Sequence, residues 1–251
     1  MPNPSYLTTE SGRRIAYHRS AGQGPGVVFL GGFKSDMEGS KATHLEDWCR
    51  AQNRAYLRFD YSGHGESDGA FTDGCIGDWA ADAQAAIRQL TDGPQVLVGS
   101  SMGGWISLLT ARAMPEKVAG LVTIAAAPDF TEDGFWANFT VDQRAALETD
   151  GQIALPSDYG EPYIITKHLI EEGRDNLVLR SPLKLPFPTR CLQGTADTSV
   201  TTETALKLLD HAQCDDIRLT LVKYKDHSFS DPECLSIIEA AITDVTQRIA
   251  M

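Results

Sequence analysis

The sequence predicts an α/β fold, a mainly parallel sheet covered by helices on both faces, and two patterns point to it. Short apolar runs suited to buried strands alternate with longer segments of helical spacing along most of the chain. Glycine-rich breaks follow several of the strand-like runs, where open α/β sheets carry their sites. The length of 251 residues admits one large domain or two small ones, and a hydrophobic content of 42% is ample for a core. The alternation is read as one domain over residues 1–251, with an insertion at 129–188.

The elements follow in order. Tyr6–Thr9 and Arg14–Arg19 flank Glu10-Ser11-Gly12-Arg13 as a hairpin near a sheet edge. Gly26–Leu30 is a compact buried strand that runs into Gly31-Gly32-Phe33. Ser40–Ala51 has helical composition, and Arg54–Phe59 is a strand ending in Asp60-Tyr61-Ser62-Gly63-His64-Gly65-Glu66-Ser67. Asp78–Leu90 has the apolar spacing of a helix. Gln95–Val98 is a strand, Trp105–Met114 continues as a helix, and Val118–Ala125 is a further strand. The alternation stops at Asp129 and resumes at Pro188–Leu192, followed by a helix over Thr202–Ala212, a strand over Ile217–Lys223 and a closing helix over Pro232–Ile249. Across the intervening roughly 60 residues, helical patches occur at Asp142–Glu148 and Tyr163–Glu172 but no good buried strand does. A stretch of that length is more often an elaboration near a site than plain loop, so a small helical lid is expected. Its aromatic and apolar residues include Phe130, Phe135, Trp136, Phe139, Tyr159, Tyr163 and Ile164. They either pack the insertion onto the domain or line an acyl pocket, with Trp136 and Phe139 as candidate substrate contacts.

The stretch with the most chemical content is Gly99-Ser100-Ser101-Met102-Gly103, a G-x-S-x-G turn between a strand and a helix. Such a turn is so sharp that a Cβ two residues either side of the nucleophile would strike backbone. Ser101 has Gly99 and Gly103 at those positions, whereas Ser100 has Val98 and Met102, so Ser101 is the candidate nucleophile. No Gly-Lys-Ser/Thr follows, which argues against a phosphate loop.

A serine hydroxyl needs a base. Of His18, His44, His64, His168, His211 and His227, the last lies between the final strand and the final helix, where the chain returns to the sheet's carboxyl edge. His227 is the candidate base, with His64 in its glycine-rich turn as the alternative. Asp197, in Gly194-Thr195-Ala196-Asp197 after a strand, is the candidate to orient it, with Asp129 as runner-up. Asp226 is adjacent to His227 and poorly placed to fold back onto its ring. The backbone N–H groups of Phe33 and Met102 are the candidate oxyanion donors, and their side chains are expected to shape the pocket.

These pieces together resemble the α/β-hydrolase superfamily. Asp60–Ser67 looks like that family's D-x-x-G-x-G-x-S turn, and Gly194–Val200 looks like its G-x-x-D-x-x-V loop. The resemblance implies a sheet of the eight-stranded type and the order Ser…Asp…His for the catalytic residues, matched by Ser101, Asp197 and His227. More narrowly, Arg58–Gly63, Gly93-Pro94-Gln95, Gly99–Trp105 and Asp226-His227 are similar to a branch of palmitoyl-protein thioesterases that also cleave acyl glucuronides. This implies a serine thioesterase or carboxylesterase acting on a small acyl ester or thioester, with no cofactor and no metal. Hydrolysis of carbon–carbon bonds and non-catalytic ligand binding are the rival expectations, because one fold hosts many functions.

Bulk properties narrow the partners. A net charge of −12 argues against nucleic acid and anionic membrane surfaces. Cys49, Cys75, Cys191, Cys214 and Cys234 are odd in number and widely spaced, so buried thiols in a reducing compartment are expected rather than disulfides or zinc. The N-terminal stretch shows neither an apolar signal core nor a transit-like pattern, and no run reaches membrane-spanning length. The expected location is cytoplasmic.

Overall fold

Six parallel strands form the middle of the molecule, and two antiparallel strands extend one edge. In this computed structural model, which describes residues 3–156 and 162–249, the sheet has eight strands in all. The chain opens with β1 (Ser5–Thr8), β2 (Arg14–Ser20), β3 (Gln23–Leu30), α1 (Ser40–Ala51), β4 (Arg54–Phe59), α2 (Ile76–Leu90), β5 (Gln95–Ser100), α3 (Met102–Ala113) and β6 (Val118–Ile124). The middle segment contains a π-helical stretch (Phe130–Trp136), α4 (Val141–Asp150), β7 (Gln152–Leu155), β8 (Tyr163–Thr166), α5 (Lys167–Asp175) and the short β9 (Leu183–Lys184). The chain closes with β10 (Thr189–Gly194), α6 (Thr202–His211), β11 (Ala212–Gln213), β12 (Ile217–Val222) and α7 (Pro232–Ile249).

The sheet order is β1-β2-β4-β3-β5-β6-β10-β12. After β3 the chain steps outward to β4, then returns past β3 to β5. The strand order therefore reverses between β3 and β5, and a crevice opens at their carboxyl ends. Register places Leu30 opposite Gly99, so the loops that begin at Gly31 and Ser101 leave the sheet side by side.

The period-2 alternation of the strands builds two cores. Val28, Leu30, Leu57, Leu97 and Leu121 face one way, against apolar residues of α2 and α3. Val27, Phe29, Tyr56, Val96, Val98 and Val122 face the other way, against α1 and α7. On α2, Ile76, Trp79, Ala83, Ala86, Ile87 and Leu90 recur at helical spacing and are all buried. Cys49, Cys75, Cys191 and Cys234 are buried and Cys214 partly so, all as free thiols. Among the described residues, no helix is long and apolar enough to cross a membrane.

The middle segment differs from the sequence expectation. Its helices are present, but α5 begins at Lys167, and Tyr163–Thr166 is instead a strand paired antiparallel with Gln152–Leu155. Four-residue strands with little alternation carry no clear periodic signal, which is why this hairpin was not anticipated. Tyr159 lies outside the described residues.

One buried polar joint ties the antiparallel edge to the parallel core. Asp82 on α2 has no exposed surface and accepts the Ser62 N–H (2.9 Å), the Ser62 hydroxyl (2.7 Å) and Arg13 Nε (2.7 Å). Asp82→Ala leaves the buried Ser62 donors without this acceptor, while Arg13 keeps Asp78 at 2.6 Å, and it is expected to lower stability by about 1–3 kcal/mol, read as a drop in the urea midpoint.

Candidate active site

Ser101 is the residue between β5 and α3, and its backbone sits at φ 55°, ψ −118°, a region that side-chain-bearing residues rarely occupy. Three backbone hydrogen bonds hold it there. Its N–H donates to Ile124 O (2.9 Å), and its carbonyl accepts from Gly104 N (2.9 Å) and Ala127 N (3.1 Å). The flanking glycines are needed for space. A Cβ on Gly99 would lie 2.3 Å from the Gly103 carbonyl oxygen, and one on Gly103 would lie 2.0 Å from the Leu30 carbonyl oxygen. The turn thus pushes the Ser101 side chain up from the sheet into the crevice.

His227 lies between β12 and α7, in a turn closed by Asp226, whose carboxylate accepts the Ser228 N–H (3.1 Å) and the Ser228 hydroxyl (2.9 Å). The imidazole spans Ser101 and Asp197: Nε2 is 3.0 Å from Ser101 Oγ, and Nδ1 is 2.8 Å from Asp197 Oδ2. An ionised carboxylate can only accept, so Nδ1 carries the proton and Nε2 is free to take one from the serine. The other oxygen of Asp197 accepts the Ser199 and Val200 N–H groups, each at 2.8 Å. Burial alone would raise the Asp197 pKa. The hydrogen bond from His227, the Val200 N–H and the Gln193 amide together hold it below the usual carboxylate range.

The two backbone donors expected for an oxyanion lie on the segments next to Ser101, Met102 directly after it and Phe33 in the loop after β3. Met102 is the first residue of α3, so its N–H has no intrahelical acceptor. The Phe33 N–H makes no hydrogen bond among the described residues. Gly32 brings that loop close: a Cβ on Gly32 would touch the Ser101 Cβ at 3.4 Å.

The alternatives considered from the sequence lie elsewhere. Asp129 is fully buried and accepts the N–H groups of Val178 (2.8 Å) and Leu179 (3.0 Å) and Arg180 Nη1 (2.9 Å). It anchors the far end of the middle segment to the end of β6. His64 is buried among Tyr61, Phe71 and Trp79, with Nε2 facing the Lys34 N–H and Nδ1 facing the Ser62 carbonyl. Burial pushes its pKa down to about 4, and neither ring nitrogen faces Ser101.

Ser101 and His227 open into a cavity of about 990 Å³. One wall is apolar, with Phe33, Phe130, Phe135, Leu155 and Tyr163. The Phe33 ring is central to it, with edge-on contacts to Phe130 (5.5 Å), Phe135 (5.9 Å) and Tyr163 (5.7 Å). The expected contacts Trp136 and Phe139 and the Met102 side chain do not line this cavity. Trp136 turns away from it, with the guanidinium groups of Arg144 and Arg174 over its ring at 5.0 and 4.7 Å. Phe139 is buried against Phe135, and Met102 is enclosed in the core. Composition singles out aromatic residues but does not tell which face of an irregular segment each occupies. Lys34, Lys41 and Gln193 were also missed. The two lysines line the cavity, and Gln193 Nε2 donates to Asp197 Oδ2 at 3.1 Å. Gln193 shares the buried strand β10 with Thr189 and Arg190, so its polarity gave no distinctive signal.

Comparison with known proteins agrees with this architecture. The family described as the alpha/beta hydrolase fold matches residues 42–159. The mitochondrial palmitoyl-protein thioesterase ABHD10 of Rattus norvegicus is 34% identical over 248 residues, covering 98% of this chain and 83% of the relative. The human protein of the same name is 34% identical, covering 98% and 81%. A solved putative hydrolase from Agrobacterium vitis S4 superposes with a TM-score of 0.93 at 37% identity, covering 98% of this chain and 99% of that one. Mouse alpha/beta hydrolase domain-containing protein 10 superposes with 0.91 at 33% identity, covering 99% and 100%. These relatives support a hydrolase activity. They also overturn the cytoplasmic expectation, because the ABHD10 proteins are mitochondrial by name and point away from that location. The N-terminal composition on which that expectation rested does not outweigh them. With its eight-stranded, mainly parallel sheet and 34% identity to ABHD10 over 98% of its length, the chain belongs to the α/β-hydrolase family.

Proposed function

We propose that the protein hydrolyses carboxylic esters or thioesters through an acyl-enzyme on Ser101. The observation that carries this reading is the continuous hydrogen-bonded line Ser101–His227–Asp197, opening into a cavity with an aromatic wall. Ser101 Oγ attacks the substrate carbonyl as His227 Nε2 takes its proton. The carbonyl oxygen becomes an oxyanion held between the N–H groups of Met102 and Phe33. Collapse of this intermediate breaks the C–O or C–S bond, and the imidazolium returns its proton to the departing alcohol or thiol. Water then repeats the sequence on the acyl-enzyme and frees Ser101. Asp197 keeps the imidazole in the Nδ1–H tautomer and stabilises its charged form.

The segment 129–188 acts in this reading as a lid over one side of the site. Phe130, Phe135 and Tyr163 give the acyl group an apolar surface to bury. The resemblance to palmitoyl-protein thioesterases favours acyl thioesters as well as oxygen esters.

Four measurements test this reading. A fluorophosphonate is expected to modify Ser101 in the folded protein, located by peptide mass; an unmodified Ser101 would sink the proposal. Ester, acyl-thioester and vinylogous diketone substrates of graded chain length, with Ser101→Ala as the blank, should show turnover of the first two classes only. Asp197→Asn is expected to lower kcat by about 10³–10⁴-fold. Asp129→Asn should instead lower the melting temperature while the folded fraction keeps its kcat, and the reverse pattern would transfer the acid role to Asp129.

A further inference from the structure

The loop that carries Phe33 is held by a histidine outside the Ser101–His227–Asp197 line. Gly32–Ser35 is a tight turn, closed by Ser35 N–H to the Gly32 carbonyl (3.2 Å) and by Ser35 Oγ to the same oxygen (2.9 Å). Phe33 and Lys34 are its two central residues, and Lys34 has φ 57°. A positive φ at the third position of such a turn is normally left to glycine or asparagine. With lysine there, flipping of the Phe33–Lys34 peptide to the commoner turn form competes with the observed one unless something holds it.

His64 is that restraint. Its Nδ1 lies 3.2 Å from the Ser62 carbonyl, and a carbonyl has no proton to give, so Nδ1 is the donor. The neutral ring then has a lone pair at Nε2, and this is where the Lys34 N–H points, at 3.2 Å. The ring is 4% exposed and stands edge-on to Tyr61, Phe71 and Trp79, so water does not compete for that lone pair. Burial also keeps it neutral, since its pKa is pushed down to about 4. Trp79 Nε1 donates to the same Ser62 carbonyl (3.1 Å), which fixes the acceptor as well as the ring. The Phe33 ring packs on Phe71 (4.9 Å) and Trp79 (6.0 Å), two of the three rings that enclose His64. His64 and Phe33 therefore share one aromatic box, and the hydrogen bond to Lys34 adds a directional tie.

We propose that His64 is a positioning residue for the oxyanion site: its neutral Nε2 accepts the Lys34 N–H and so anchors the peptide that follows Phe33, steadying the residue whose own N–H, in the preceding peptide, faces the carbonyl oxygen on Ser101. This rests on the reading of Ser101 as the nucleophile. The contribution appears when the oxyanion forms, so it acts on kcat rather than on substrate capture. Displacing a catalytic donor by a fraction of an ångström to an ångström is enough for a loss of one to two orders of magnitude.

Two variants separate the hydrogen bond from the packing. His64→Phe keeps a ring of the same shape in the box but has no acceptor. His64→Gln can place its amide oxygen near the Nε2 position and accept the Lys34 N–H. With a p-nitrophenyl butyrate probe, His64→Phe is expected to lower kcat by about 10–100-fold with KM within about threefold. Its inhibition constant for a trifluoromethyl ketone, which forms a tetrahedral adduct on the serine, should rise by a similar factor. His64→Gln should recover most of both losses. Equal behaviour of the two variants, or a loss confined to KM, would overturn the proposal. A third arm needs no substitution: ¹⁵N spectra of the histidine rings in the wild-type protein at neutral pH should show His64 protonated at Nδ1 and bare at Nε2. A proton on Nε2 would overturn the proposal even if the variants failed to fold. Ser101→Ala distinguishes the two levels, because full activity there would end the Ser101 reading itself.

Discussion

The backbone of Ser101 is the constraint around which the rest of the site is arranged. A conformation of that kind costs on the order of 1–3 kcal/mol and persists only where its surroundings over-determine it. Here the surroundings are specific. The Ser101 N–H is held by Ile124 at the end of β6, and its carbonyl by Ala127 just beyond. Two glycines let Leu30 and the first turn of α3 close in from either side. The strained serine therefore depends on β3, β5 and β6 lying side by side in register, a property of the whole sheet. In exchange, the hydroxyl is lifted clear of the strand ends, where a side chain from β12's loop can reach it.

Two histidines on glycine- or turn-rich loops show how environment assigns roles that residue type leaves open. His227 is partly exposed, faces a carboxylate and lines the cavity. His64 is enclosed by aromatic rings and loses its charged form to burial. A proton acceptor in catalysis must be able to carry positive charge for part of the cycle. A ring that must stay neutral is suited instead to a fixed hydrogen bond. The same logic separates the aspartates: Asp197 faces an imidazole, whereas Asp129 is filled by two backbone N–H groups and an arginine.

The core of the fold was legible because its signals are local and repeated. The α1 helix occupies Ser40–Ala51 as its composition implied, and β4 occupies Arg54–Phe59. The choice of Ser101 over Ser100 was also a local matter, since it rests on which neighbours lack a Cβ. The meeting of Ser101, Asp197 and His227, far apart in sequence, could be placed only because each follows a strand of one parallel sheet. The middle segment offered no such frame. Strands of four residues, a π-helical stretch and a face assignment that depends on Arg144 and Arg174 leave little periodic trace. Trp136 was accordingly placed on the wrong side, while Phe130, Phe135 and Tyr163 hold the cavity wall.

The joint between these two parts has its own physical logic. Between Ile124 and Asp129 the chain leaves β6 through two residues with positive φ, Ala125 at 47° and Asp129 at 59°. The first part of this link holds Ser101 through Ile124 and Ala127, and its last residue secures Val178–Arg180 at the far end of the middle segment. The segment that forms the aromatic wall is therefore tied at both of its ends to the strand that braces the serine. A change in how that segment sits is felt at Asp129, only two residues from an N–H that holds the Ser101 carbonyl. Sequence divergence in the loops of the segment can alter the wall without cost to the serine, provided that Asp129 keeps its three donors.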